Sequence, residues 1–275
     1  MGKKYFNIVS ADLKMWSSRW ADSFRGADVV FHFAANPEVR VSVVDPRVHF
    51  DENVLASFNV LEACRKFNVP LIVFASSSTV YGDANIIPTP ENYVPLEPIS
   101  VYGGAKLAVE NFMITYSKLY GIRGLILRYA NIIGPRSNHG VILDFINKLR
   151  RSPSRLEILG DGTQRKSYLH VYDAVDATLH LLKVFTGSSR CYDIYNVSNR
   201  DWIRVVEIAD IVVKEMGLGK VEYVFKPMTV DGRGWPGDVK FMLLDITKLE
   251  ATGWKPRWTS AEAVRKTVRQ LLGKE

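Results

Sequence analysis

The first half of this chain alternates short apolar runs with stretches of helical spacing, the pattern of a parallel sheet wrapped by helices. Tyr5 to Ser10, Val29 to Ala34, Leu71 to Ser76 and Leu125 to Tyr129 read as buried strands. Val48 to Phe67 and Val101 to Tyr120 read as helices, the first stopping at Asn68 before Val69-Pro70 and the second at Gly121. From Asn131 onward the punctuation changes: Gly134-Pro135, Asn138-His139-Gly140 and Gly160-Asp161-Gly162 cut the chain into short pieces. That predicts a smaller lobe built from excursions, with helices over Val171 to Phe185, Val205 to Gly217 and Ala261 to Leu272 and a strand over Tyr192 to Val197. The fold class expected is therefore α/β, a doubly wound parallel sheet with a small C-terminal lobe.

At 275 residues, 47% hydrophobic and 24% charged, the chain is long enough for one large α/β domain, or one with a smaller lobe. The apolar run Tyr5 to Val9 is too brief for a signal segment or a membrane span, so a cytoplasmic location is the default expectation. Cys64 and Cys191 are too few for a disulfide framework and read as small buried hydrophobes. A net charge of +7 suits an anionic partner, but the basic residues are dispersed. The densest group, Lys148, Arg150, Arg151 and Arg155, reads as the solvated end of an amphipathic helix, and no nucleic-acid-binding motif accompanies it. His32, His49, His139, His170 and His180 lack ligand spacing, which argues against a metal site. Glutamine occurs only as Gln164 and Gln270, in keeping with a thermophilic source.

The chemistry-bearing feature is Tyr102 with Lys106. Of twelve tyrosines, only Tyr102 is followed by a lysine four residues on. On a helix that spacing puts an ammonium beside a phenol and favours the phenolate, which makes a tyrosine usable as a base. Ala75-Ser76-Ser77-Ser78-Thr79 ends a buried strand, where open parallel sheets bind ligands. A hydroxyl there can share a substrate proton with Tyr102, or it can simply cap the strand. Gly103-Gly104 sits inside the same helix at a cost of roughly 1 kcal/mol per glycine, which implies either packing or close approach. Against these features stands an absence. No Gly-x-x-Gly-x-x-Gly turn, the usual cradle for a dinucleotide pyrophosphate, occurs in the chain.

Ser76-Ser77-Ser78-Thr79-Val80-Tyr81-Gly82, followed by Tyr102-Gly103-Gly104-Ala105-Lys106, resembles the extended short-chain dehydrogenases/reductases, and among them the UDP-galactose 4-epimerase group. Asp12-Leu13, His32-Phe33-Ala34-Ala35, Asn53-Val54, Arg128-Tyr129-Ala130-Asn131 with Gly134-Pro135, Gly160 to Thr163 leading to Tyr168-Leu169-His170-Val171, and Pro236-Gly237-Asp238 extend the likeness over nearly the whole chain. It implies a Rossmann-like fold with the first βαβ unit absent. Residues 1–133 and 168–199 would form the NAD domain, and 134–167 and 200–275 the substrate lobe.

The resemblance also implies roles. Tyr102 would be general base and acid for a sugar 4-hydroxyl, Ser77 would share its hydrogen bond, and Lys106 would bind the nicotinamide ribose and lower the Tyr102 pKa. Asp12 and Leu13 would lie at the adenine, with Phe33, Ala34, Ala35, Asn53 and Tyr129 along NAD. Ser78, Asn131, Lys166, Arg233 and Asp238 would meet the UDP-sugar, Lys166 standing where the family usually has arginine. A homodimer through the Val48 to Phe67 and Val101 to Tyr120 helices would follow the family pattern.

Two departures accompany the likeness. Trp235 stands where the family has an arginine just before Pro-Gly-Asp, with Arg233 two positions away. The family's first strand, glycine turn, helix and second strand have no counterpart. The expectation is that Tyr5 to Ser10 closes directly on Val29 to Ala34 through a crossover over Trp16 to Phe24, and that NAD binding is weak. Either the natural chain starts further upstream or it is a remnant that has lost catalysis. UDP-glucose/UDP-galactose 4-epimerisation is the leading reading. A 4,6-dehydratase is disfavoured because Ser77-Ser78-Thr79 replaces the Thr-Asp-Glu of that relative, while a decarboxylase, a sugar reductase or a non-catalytic nucleotide-sugar binder stays open.

Overall fold

A computed structural model describes residues 6–275. Its centre is a four-stranded parallel sheet in the order Val30–His32, Leu71–Ser77, Arg123–Tyr129, Tyr192–Val197. Registers pair Val73 with Phe31 on one side and with Leu125 on the other, and Leu127 with Tyr195. Because successive strand side chains point to opposite faces, one apolar run feeds two cores. Leu71, Val73, Leu125, Leu127 and Val197 pack under the helix Val171–Thr186. Ile72, Phe74 and Ile126 pack under the helices Ala56–Lys66 and Val101–Tyr120 through Val60, Leu61, Val109 and Met113. Each such aliphatic side chain contributes roughly 1.5–3 kcal/mol of burial.

A third core joins the helices Val141–Arg151, Val205–Met216 and Ser260–Leu271 to the strand Arg155–Leu159. In the first of these helices Ile142, Phe145, Ile146 and Leu149 follow i, i+3, i+4, i+7, a single apolar face. Arg151 ends this helix, whereas Arg155 opens the following strand, so the basic group spans two elements. Among the described residues no helix is long and apolar enough to cross a membrane.

Several expectations are corrected. Tyr5 lies outside the described residues, and 6–10 form no strand; Phe6 and Ile8 are exposed, and among the described residues nothing pairs with or covers them. The expected closure on Val29 to Ala34 is therefore not made. Among the described residues, Val30–His32 pairs only with Leu71–Ser77, and Phe31 and Phe33 stand exposed at that edge. Trp16 to Phe24 holds a short helix, Ser18–Ala21, and a 3-10 turn at Asp22–Phe24. The helix expected over Val48 to Phe67 is interrupted by a π-helical stretch at Phe50–Leu55. Cys64 is buried as expected, but Cys191 is exposed, because it precedes the Tyr192–Val197 strand instead of lying within it.

Candidate active site

A cleft of about 910 Å³ opens at the C-terminal ends of the parallel strands, where this architecture places ligands. Ser77 and Ser78 enter it from the end of Leu71–Ser77, and Tyr102 and Lys106 from the first turns of Val101–Tyr120. That helix starts sharply: Ser100 is extended, its hydroxyl accepts from the Gly103 N–H at 3.1 Å, and the far end stops at Gly121 with φ 71°. Phe33, Ala35, Tyr129, Asn131, Lys166 and Asp238 complete the set of expected residues on its walls.

The Lys106 ammonium donates to the Ala75 carbonyl at 2.7 Å and stands 5.8 Å from the centre of the Tyr102 ring. Burial lowers its pKa to about 8, with the Glu110 carboxylate opposing. Burial raises the Tyr102 phenol above its ordinary value, and a hydrogen bond with Ser77 pulls the other way. Desolvation thus dominates at the phenol, and the expected lowering by Lys106 is not seen there. Ser77 Oγ accepts from the Thr79 N–H at 3.2 Å and from the Thr79 hydroxyl at 3.0 Å, which leaves its own proton free for Tyr102 or a ligand oxygen.

At the other end of the cleft, Lys166 Nζ is paired with Asp238 at 2.5 Å and lies 5.6 Å from the centre of the Trp235 ring. Arg40 stacks on the same indole at 5.7 Å. Asn131 Nδ2 donates to the Ser167 carbonyl at 3.0 Å, and its carbonyl oxygen is left to accept. Tyr129 donates to Thr178, whose own hydroxyl bonds the Ala174 carbonyl.

Other expected residues are not brought to the cleft. The exposed Asp12 caps its own turn through the Lys14 N–H, and Leu13 packs with Trp20 and Phe24. Ala34, between Phe33 and Ala35, does not line the cleft. Asn53 is buried, with its amide clasping the Asn36 backbone on both sides at 2.6 and 3.1 Å. Arg233 reaches Asp83 at 2.8 Å and Asp231 at 2.6 Å and does not line the cleft. Conversely, Glu38, Arg40, His139, Tyr168 and Trp235 line it without having been expected there. The loop after Val30–His32 leaves the C-terminal end of a parallel strand, which is the signal that marks Glu38 and Arg40.

A parallel sheet with a Tyr–Lys pair and a serine at one cleft defines a nucleotide-dependent enzyme of the short-chain dehydrogenase type. The chain belongs to the NAD dependent epimerase/dehydratase family, whose profile it matches over residues 2–198. By lineage it is an NAD-dependent epimerase. A crystallised UDP-galactose 4-epimerase is 52% identical, with a TM-score of 0.84 over 96% of this chain and 82% of that one. The UDP-glucose 4-epimerase of Thermus thermophilus, crystallised with NAD, is 32% identical, with a TM-score of 0.84 over 100% of this chain and 87% of that one. The UDP-glucose 4-epimerase of Lactobacillus helveticus is 31% identical over 86% of this chain and 74% of its own length.

NAD, the family's cofactor, fits the residues present at one end only. Lys106 keeps N–H donors beyond its bond to Ala75, and Phe33, Ala35 and Tyr129 offer the flat, largely apolar wall that a nicotinamide riboside needs. The adenine and pyrophosphate end fits poorly: Asp12 and Leu13 are elsewhere, and among the described residues no glycine-rich turn at the cleft offers converging N–H groups.

Proposed function

We propose that this protein interconverts UDP-glucose and UDP-galactose, and that Tyr102, Ser77 and Lys106 carry the reaction. The observation behind this reading is that these three side chains meet in one cleft beside walls long enough for a nucleotide sugar. When bound, NAD supplies a reversible acceptor for the C4 hydrogen. The chain's own part is proton handling. Tyr102 takes the 4-hydroxyl proton and returns it, Ser77 donates toward the same oxygen, and Lys106 adds positive charge that favours the phenolate once a ligand reorganises the site. Lys106, Phe33, Ala35 and Tyr129 would hold the cofactor; Ser78, Asn131, Lys166 and Asp238 would face the sugar nucleotide. Residues 1–133 with 168–199 form the cofactor portion in this reading, and 134–167 with 200–275 the substrate portion.

The absent glycine turn supports weak NAD affinity and impaired turnover for these 275 residues. Calorimetry with NAD tests this, and submicromolar binding would refute it. The same absence supports a second reading, a nucleotide-sugar binder without turnover. UDP-galactose incubated with NAD, followed by product analysis, separates the two: a 4-epimer supports the first reading, tight binding without product the second. A cytoplasmic location belongs to the proposal, as does a homodimer. The latter is supported by exposed Phe58, Phe112, Leu119 and Tyr120 on the helices Ala56–Lys66 and Val101–Tyr120. Sedimentation of a Phe112→Glu variant as a monomer beside a dimeric wild type would bear it out.

A further inference from the structure

Tyr102, Lys106 and Glu110 occupy i, i+4 and i+8 of the helix Val101–Tyr120, so the three share one face. Glu110 is 1% exposed and does not line the cleft. Its carboxylate accepts from the Ser76 hydroxyl, from Arg128 Nε at 3.0 Å and from Arg128 Nη2 at 2.7 Å. Arg128 also donates to the Tyr81 hydroxyl at 2.9 Å and the Glu91 carbonyl at 3.1 Å, and Tyr81 donates to Asn196 at 2.7 Å. The network therefore ties the Tyr102 helix to three adjacent strand ends, and Ser76 immediately precedes Ser77.

Groups from four elements surround Lys106. Its own helix contributes Tyr102 and Glu110. His32 comes from Val30–His32; its Nε2–H is given to Ser57 at 2.7 Å, and burial keeps the ring neutral. Leu71–Ser77 contributes the Ala75 carbonyl and the Phe74 ring, 4.8 Å away, neither of them charged. Arg123–Tyr129 contributes the phenol Tyr129 and the guanidinium of Arg128, which is engaged by Glu110. Glu110 is thus the carboxylate that acts on the Lys106 charge. A buried ion pair is by itself weak evidence for a stabilising role, since apolar replacements are often tolerated. A carboxylate that also grips Ser76 and sits one turn from Lys106 does more than join two charges.

We propose that Glu110 is a positioning residue of this site: its carboxylate supplies the counter-charge for the Lys106 ammonium and, through Ser76, fixes the strand end that carries Ser77. The inference rests on the reading of Tyr102 and Lys106 as the reaction centre. A carboxylate whose charge is wholly spent on Arg128 would leave the Lys106 titration alone.

The test follows the Lys106 amine by NMR of protein with ¹³C-labelled lysine, the resonance being assigned by its loss in Lys106→Met. Glu110→Gln leaves the buried Arg128 without its counter-charge, so Glu110→Gln/Arg128→Met and Glu110→Asp are measured beside it. The expected result is that the Lys106 midpoint falls by about one pH unit or more wherever the carboxylate is removed, while Glu110→Asp stays near wild type. An unchanged midpoint in the folded double variant, or a midpoint in Glu110→Asp as low as that of the glutamine variant, overturns the proposal. Neither NAD nor sugar nucleotide is present, so the result stands apart from turnover. A shifted midpoint in a chain that never epimerises would count against the proposed function alone.

Discussion

A Cβ on Gly103 would stand 2.7 Å from the carbonyl oxygen of Thr79 and 2.9 Å from Pro98 Cβ, whereas a Cβ on Gly104 would meet nothing within 4 Å. Close approach therefore explains the first glycine of the pair: it lets the helix bearing Tyr102 press against the turn that follows Ser77. Gly103→Ala is expected to lose about 2 kcal/mol or more and to separate Tyr102 from Ser77. Gly104→Ala is expected to gain up to about 1 kcal/mol from helix propensity. Urea melts of the two variants should move in opposite directions.

Tyr102→Phe removes the only proton-handling atom of that side chain and leaves its ring in the wall. Turnover should fall by about 10³-fold, the range expected for loss of a positioned acid–base group. UDP affinity, read by calorimetry, should stay within about twofold, because the phenol is not expected to touch the nucleotide. Equal loss of binding and turnover would place Tyr102 among structural residues.

Lys106 gives a pH signature. Its folded pKa of about 8 lies below the ordinary 10.5, so between these values the unfolded chain holds a proton that the native protein has released. Stability then rises with pH across that window, by about 3 kcal/mol in total, and below pH 8 the full cost of burying the charge is present. Lys106→Met should flatten the rise when melts at pH 7.5 and 10 are compared with wild type.

His32 acts at the acid end. Burial, aided by the Lys106 charge, lowers its pKa from 6.5 to about 3. Through that interval the unfolded state binds the extra proton, so stability is lost as the pH falls. His32→Asn keeps an uncharged donor toward Ser57 and should retain about 3 kcal/mol more of its neutral-pH stability at pH 4 than wild type does.

Much of the fold was legible because it rests on local pattern. Ile72-Val73-Phe74 must be buried on both faces, and a helix stopping at Gly121 needs only one αL residue. Tyr102, Lys106 and Ser77 were legible for the same reason, since helical spacing and a strand end place them. What failed depended on partners that pattern does not encode. Phe6 to Val9 is strand-like in composition, yet a strand exists only with a neighbour to bond to, and 6–10 has none among the described residues. Asn53 was expected near a ligand, but its amide is taken up by the Asn36 backbone. Arg233 is likewise held by Asp83, a contact 150 residues away that no spacing reveals. Trp235 and Arg40 stack across the cleft from distant segments and carry no motif of their own.

The most direct measurement is conversion of UDP-galactose by the purified 275-residue chain at millimolar NAD, with the sugar nucleotides resolved by chromatography. The account predicts UDP-glucose, a rate that climbs with added NAD without early saturation, and no conversion by Tyr102→Phe. A folded protein that binds UDP-sugar yet forms no 4-epimer at any NAD concentration would contradict it and leave the cleft as a binding site alone.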